Sequence, residues 1–451
     1  MSTGARVEVG SVLDTGRMSR PTLTVILLCA AVALLDGLDT QLISLAAPAM
    51  GPDLHLKPSG FGTVFGIGLF GGLIGATVAG VIGDRVGRRP LVTFGVLVFG
   101  VVTLVTPFVG SVGALETVRF FTGIGLGAAL PGIISLASEY APAKSRATVV
   151  GLMFCGFPMG AVVGGVLANW LIPAHGWHSV FYVGGVVPLL LLPLLVFRLP
   201  ESARFLAARG DGVAAARTLE RLGIPADGAG ARDEGPAESR SPVAALFKEG
   251  RGPGTVLLWA AMFLTLLMTY FLVTWLPSVA IAAGADSGLL AVSTLNLGGI
   301  LGCLVIGRLA DRGRPPLVIG GAYTLGAVAV ALIGWATASD GMLLIVTFVA
   351  GLLSLGAQMC TIPLIPQFYD TAQRATGVGW SMGWGRLGGI AGPVVGGWLI
   401  AAELTTSSLF VLAGGVSLCA AAVLFGFGML KRSTAGSATA IAPVKDAAGP
   451  A

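Results

Sequence analysis

The chain has 451 residues, 55% of them hydrophobic and 11% charged, with a mean hydropathy of +0.88 and a formal net charge of +5. Soluble domains carry about 25% charged residues, so this composition excludes a soluble enzyme or binding module and points to an integral membrane protein. The basic residues are spread over short loops, which excludes a nucleic-acid partner, and the five cysteines and three histidines show neither disulfide nor metal spacing, so no cofactor is expected.

The first 21 residues form a polar tail containing Arg6, Arg17 and Arg20. The apolar run that follows, 22–50, is far longer than a signal-peptide core of about 7–15 residues, so it is expected to be retained as the first membrane helix. Inside it lies Leu34-Leu35-Asp36-Gly37-Leu38-Asp39-Thr40-Gln41. Residues three apart on a helix sit about 60° from each other, so Asp36 and Asp39 can face one cavity. A carboxylate at mid-membrane costs about 2.5–3.5 kcal/mol on insertion scales. That cost favours a functional reading in which both acids line an aqueous path and take up protons. The structural alternative is an internal ion pair that only holds helices together.

The second run, 58–82, leads into Gly83-Asp84-Arg85-Val86-Gly87-Arg88-Arg89-Pro90. At a helix end, Asp84 is placed to complement the dipole of a neighbouring helix N-terminus. Runs at 90–110 and 113–139 follow, the latter carrying Arg119. At 1.5 Å per residue, Asp36 and Asp39 lie roughly 18–22 Å above the cytoplasmic face and Arg119 roughly 22 Å, a common level. A positive partner favours the ionised carboxylate and desolvation the neutral one. A substrate competing for Arg119 would therefore release a carboxylate to bind a proton. Glu139 closes this helix, Arg146 opens the next run at 146–171, and 178–198 completes six helices.

The polar stretch 199–252 reads as a cytoplasmic linker, with an amphipathic helix over 202–222 lying on the membrane surface. Apolar runs resume at 253–280, 287–310, 316–336, 341–368, 373–400 and 406–430, which makes twelve helices, and 431–451 reads as a disordered tail. Tyr270 and Trp275 fall in helix seven, Asn296 in helix eight, Gln358 in helix ten, and Trp380, Trp384 and Arg386 in helix eleven. Arg386 lies roughly 15 Å into its helix, at mid-membrane. A buried guanidinium among aromatic rings suits a planar carboxylate, because the fork binds two oxygens and the rings stack on the body. Gln358, Asn296 and Gln41 are available to read ring hydroxyls.

The halves repeat each other. Arg146-Ala147-Thr148-Val149-Val150-Gly151 recurs as Arg374-Ala375-Thr376-Gly377-Val378-Gly379, and Gly80-Val81-Ile82-Gly83-Asp84-Arg85 as Gly307-Arg308-Leu309-Ala310-Asp311-Arg312. Duplication predicts two six-helix bundles, 22–198 and 253–430. With the N-terminus inside, only Lys57 among the loop cations faces outward, so both termini are expected to be cytoplasmic.

The loop 83–90 resembles the signature loop of the major facilitator superfamily, with 307–316 as a degenerate copy. The resemblance implies that Asp84 meets helix eleven and latches the cytoplasmic side shut. It places Gly83, Arg85, Arg88, Glu139, Arg146, Asp311, Arg312 and Arg374 in the same inner gate. Arg119-Phe120-Phe121-Thr122-Gly123-Ile124-Gly125-Leu126-Gly127 is similar to the helix-four motif of proton-coupled facilitators. The stretch 388–397 resembles a helix-five motif of drug/proton antiporters, but it stands in helix eleven and is no evidence for antiport. Asp36-Gly37-Leu38-Asp39, with the signature loop, Arg119 and Arg386, looks like the aromatic acid/proton symporter family over residues 22–430. The stretches 122–131, 184–188 and 374–379 resemble that family's hydroxyphenylpropionate carriers. Its protocatechuate and 4-hydroxybenzoate carriers have a histidine in the C-terminal half, and this chain has none beyond His178.

What the resemblance implies is an all-α membrane protein of twelve helices in the cytoplasmic membrane of a bacterium, acting as a monomer. It would take up an aromatic carboxylate of benzoate, hydroxybenzoate or hydroxyphenylpropionate type with protons, by alternating access. Asp36 and Asp39 would carry protons, and Arg386 with Arg119 would hold the carboxylate. Gln358, Asn296, Tyr270 and Trp384 would line the site. A facilitator for another organic anion or a sugar, and a proton-driven exporter, are the alternatives. A receptor would need an output domain that 199–252 does not offer, and an enzyme would need a nucleophile–base or metal constellation.

Overall fold

A computed structural model describes residues 18–224 and 243–439, together with Leu13. Arg6, Arg17 and Lys445, the linker stretch 225–242 and the tail beyond 439 lie outside the described residues. The first half comprises α1 (Arg20–Asp53), α2 (Phe61–Val86), α3 (Arg88–Val105), α4 (Val112–Tyr140), α5 (Arg146–Phe154, resuming after Cys155 as Gly156–His175) and α6 (His178–Arg198). The second comprises α7 (Gly252–Ala282), α8 (Gly288–Arg312), α9 (Pro315–Ala336), α10 (Asp340–Ala350, a π turn over Gly351–Leu355, then Gly356–Thr361), α11 (Thr371–Ala401) and α12 (Thr406–Thr439). Eleven of these are long and apolar enough to cross a membrane. The exception is α11, long enough at 31 residues but rich in glycine and carrying Arg374 and Arg386.

Three boundaries differ from the sequence reading. The 202–222 segment forms two helices, Ala203–Ala208 and Gly212–Arg221, because Gly210 turns the chain at φ +83 and Asp211 caps the second. Their buried residues Ala203, Ala207, Ala215 and Leu219 join the core of the bundle. Helix ten stops at Thr361, and Leu364–Phe368 is a separate short helix, since Pro363 and Pro366 cannot supply backbone donors. Finally, α12 continues past residue 430 to Thr439, into the segment read as tail.

The first helix starts where Ser19 accepts a hydrogen bond from the Thr22 N–H and Pro21 occupies the first turn. Ser19 also donates to the Leu222 carbonyl, so the start of α1 and the linker share one end of the molecule, here called the termini side.

Lipid offers no hydrophobic drive for helix association, so contact must come from close backbone approach. Glycines provide it, and they provide it twice. A Cβ added at Gly71 or Gly75 of α2 would overlap the carbonyls of Phe120 or Ile124 in α4, and one at Gly298 or Gly302 of α8 those of Phe348 or Leu352 in α10. Likewise Gly37 and Gly160 clamp α1 to α5, and Gly388 and Gly392 clamp α11 to α7. The antiporter-like glycines of α11 are thus helix-packing positions.

The two bundles meet toward the far side. Gly62 of α2 lies so close to α11 that a Cβ there would sit 2.9 Å from the Pro393 oxygen. The Ser293 hydroxyl of α8 donates to the Val162 carbonyl of α5 at 2.9 Å. Gln41 of α1 donates to the Val273 carbonyl of α7, and Phe65 of α2 packs edge-on against Trp275 at 5.4 Å between ring centroids.

Candidate functional site

The acid–Gly–x–acid stretch is split by helix geometry. Gly37 faces the α5 backbone at Phe157, where any side chain would collide, and this turns Asp36 and Asp39 away from α5 into the interior. Asp39 is fully buried and held on both oxygens. Its Oδ2 accepts from Arg119 Nη2 of α4 at 2.9 Å, and its Oδ1 accepts from the Thr103 hydroxyl of α3. Arg119 is itself 4% exposed, so the pair is out of solvent. Burying two charges is tolerable only when geometry and extra hydrogen bonds compensate desolvation, and the Thr103 donor contributes to this.

Asp36, one turn earlier and 4% exposed, has a different environment. Its Oδ1 accepts a long 3.4 Å hydrogen bond from Thr40, while Oδ2 has no partner among the described residues. The charges of Asp39 and Arg386 both act on it. Arg386 of α11 is half-buried, close enough for its charge to act on Asp36, and its Nη1 donates to the Gly72 carbonyl at 3.5 Å. The Tyr270 ring of α7 packs over Gly389, one turn from Arg386, and its phenol lies within electrostatic range of Asp36 and Arg386. Arg119 Nη1 is also buried without a partner among the described residues. The structure therefore gathers Asp36, Asp39, Arg119, Arg386 and Tyr270 from four helices of both bundles. Two of them present unsatisfied polar atoms that a carboxylate, a proton or water would fill.

Other expected site residues are placed differently. Trp384 stacks on Trp259 of α7 at 5.6 Å and is 38% exposed; two residues from Arg386, it lies about 200° round the helix. Trp380 stacks on the same Trp259. Trp275 is fully buried, donates its Nε1 to Pro393 O at 2.9 Å and meets Phe65 of α2, so it serves packing within the second bundle and across the seam. Asn296 is buried and donates back to Val292 O in its own helix at 2.9 Å; Gln358 is 9% exposed on α10. Gln41, read as a reader of ring hydroxyls, instead spans α1 to α7 and bonds Ser44 at 2.6 Å. Thr103 was not singled out in the sequence, because one threonine in an apolar helix carries no signal of its own.

At the termini side, Asp84 pairs with Arg88 at 2.9 Å in its own loop, and it does not bond α11 among the described residues. The loop reverses at Gly87, φ +107, and the backbone N–H groups of Arg88 and Arg89 donate to Glu201. Gly83 is buried beside Leu91, and the Arg85 carbonyl accepts from Arg209. Glu139, buried, accepts from the Ser202 hydroxyl and from Arg204 N–H at 3.0 Å, which ties α4 to the linker helix. Arg146 opens α5, and Asp311, Arg312 and Arg374 are exposed at the ends of α8 and α11. The contacts of Asp84, Arg88 and Glu139 tie the first bundle to its own loop and linker. A groove of about 760 Å³ between α3 and α6, lined by Arg89, Phe94 and Phe197, contains none of the central residues.

Comparison with known proteins places this architecture. The profile of the Major Facilitator Superfamily matches residues 29–362 and 304–442. The chain is 37% identical over 432 residues to the gallate transporter of Pseudomonas putida, covering 94% of this chain and 96% of that protein. It is also 37% identical over 388 residues to the 3-(3-hydroxy-phenyl)propionate transporter of Escherichia coli, covering 86% and 88%. Among solved structures, the xylose transporter XylE from E. coli, in a partially occluded inward open conformation, superposes with a TM-score of 0.64 at 18% identity, over 90% of this chain and 99% of that one. At that identity the likeness concerns the fold. With its duplicated bundles and its match over nearly the whole length, the chain belongs to the Major Facilitator Superfamily, where its sequence relatives are transporters of aromatic acids.

Proposed function

We propose that this protein takes up an aromatic carboxylate together with protons across the cytoplasmic membrane of a bacterium, by alternating access, with both termini in the cytoplasm. The observation that carries the reading is the interior cluster: a buried Asp39–Arg119 pair beside an Asp36 that keeps one oxygen unpartnered, facing Arg386 and Tyr270 from the other bundle. Relatives named for gallate and for 3-(3-hydroxy-phenyl)propionate support the substrate class. Arg386 and the free edge of Arg119 hold the carboxylate, Tyr270 contacts the ring, and Gln358 and Asn296 line the second bundle. Proton coupling is the work of the acid pair of α1, Asp36 and Asp39. The loops at Gly83–Arg88 and Asp311–Arg312, with Glu139, Arg146 and Arg374, gate the inner side. The bundles are 22–198 and 253–430.

One anion with one proton is electroneutral and driven by the pH gradient, whereas a second proton adds about 2.3 kcal/mol per 100 mV of membrane potential. The test is uptake into vesicles reconstituted with the full chain, under an imposed pH gradient, over labelled benzoates, hydroxybenzoates, phenylpropionates and sugars. Accumulation of an aromatic acid that collapses with a protonophore and is lost in Asp36→Asn is the expected result. Accumulation of sugars alone, or outward pumping, refutes it.

A further inference from the structure

The two acids of the first helix are not equivalent, and their surroundings assign them separate work. Asp39 has no exposed surface and no unused oxygen: Thr103 from α3 donates to one, Arg119 from α4 to the other. Asp36 is almost as deeply buried, yet among the described residues Oδ2 is unpartnered and its one hydrogen bond is the long one from Thr40. Among the described residues, the charged and titratable groups around the pair are Arg119 from α4, Arg386 from α11 and Tyr270 from α7. The α5 face packed on α1 brings the glycines 156 and 160 and the Phe157 backbone.

We propose that Asp36 alone carries the coupling proton, while Asp39 stays ionised as an anchor that aims Arg119, with Thr103 as the positioning residue that keeps it so. This rests on the reading of the protein as a proton-coupled carrier. A hydrogen bond to the charged form of a carboxylate favours that form, and Asp39 accepts such bonds on both oxygens. Protonating it would break a buried ion pair and leave the guanidinium uncompensated. Asp36 has room for the proton: an O–H bond forms at Oδ2 from a hydronium on one side of the membrane, and the same bond breaks to water on the other. Held by Asp39, Arg119 turns its unpartnered Nη1 to the substrate carboxylate. Without the Thr103 hydroxyl, Asp39 is free to rotate or to protonate, and Arg119 loses its aim.

The experiment compares net uptake driven by a pH gradient with substrate counterflow at equal pH, in vesicles containing the full chain or its Asp36→Asn, Asp39→Asn, Thr103→Val and Thr103→Ser variants. Wild-type uptake under the gradient is the control for the underlying reading: if it is absent, that reading fails before the present one is tested. Asp36→Asn is expected to lower net uptake at least tenfold more than counterflow. Asp39→Asn is expected to lower both together. A hydrogen bond to a charged group contributes about 1.5–3 kcal/mol, so Thr103→Val should raise the counterflow KM by roughly tenfold or more. It should also move the pH at which transport falls upward, and Thr103→Ser should restore both values. Equal behaviour of the two Asp→Asn variants overturns the proposal. So does a Thr103→Val protein whose KM and pH profile match wild type, or a Thr103→Ser protein that fails to rescue while folding normally by size-exclusion chromatography.

Discussion

Replacing Gly37 by alanine adds one methyl group where the structure has no room. The ideal Cβ overlaps the Phe157 carbonyl of α5, a main-chain atom that cannot rotate aside. Overpacking of this kind costs about 1–3 kcal/mol, and the backbone obstacle puts Gly37 near the upper end. Alanine returns up to about 1 kcal/mol of helix preference over glycine, leaving a net loss of about 2 kcal/mol. Alternatively, α1 and α5 separate and carry Asp36 and Asp39 off their partners. Gly80 is the matched control, a helical glycine with nothing within 4 Å of its added Cβ, where only the preference gain applies. Thermal unfolding in detergent, with counterflow on the same preparations, separates the two. Gly37→Ala should melt several degrees lower and lose at least nine-tenths of its transport, while Gly80→Ala should match or exceed wild type. A Gly37→Ala protein as stable and active as Gly80→Ala would refute the claim that backbone contact with α5 sets the position of the acids.

Gln41→Ala removes a donor that joins α1 to the Val273 carbonyl, so hydrogen–deuterium exchange over 270–276 should speed up several-fold in the resting protein. Trp384→Leu should leave the substrate KM within about twofold of wild type, because Trp384 stacks on Trp259 away from Arg386; a tenfold rise would return it to the site. Asp84→Asn removes only an exposed pair with Arg88, of a kind that contributes about 0–1 kcal/mol, so the melting temperature should hold. A slower transport rate would then locate the role of Asp84 in another conformation. Glu139→Gln weakens two buried hydrogen bonds to the linker and should lower the melting temperature clearly more than Asp84→Asn.

The crossings were legible because bilayer thickness sets helix length, and the twofold plan because the Asp-Arg loop and the Arg-Ala-Thr helix start both recur. Asp36, Asp39, Arg119 and Arg386 stood out for a related reason: charge inside an apolar run is costly enough to need an explanation. What could not be read was direction around the helix axis. Trp384 and Arg386 share a neighbourhood in sequence yet face different ways, and Gln41 looked like a ligand-reading amide but reaches a backbone carbonyl. Thr103 was invisible for the opposite reason, since a hydroxyl costs little in an apolar helix and only its contact with Asp39 gives it meaning. The linker helix was misjudged in length because one left-handed glycine, Gly210, outweighs an unbroken amphipathic pattern.

The far-side seam between the bundles has an energetic consequence. Its hydrogen bonds, Gln41 to Val273 and Ser293 to Val162, join neutral side chains to main-chain carbonyls, with no ion pair among them. Bonds of this sort are individually worth about 1 kcal/mol, no more than the work done by moving one charge through a modest membrane voltage. Under the alternating access proposed above, opening this seam breaks such neutral bonds and parts the close packing of Gly62 on Pro393 and Phe65 on Trp275, without separating an ion pair there among the described residues.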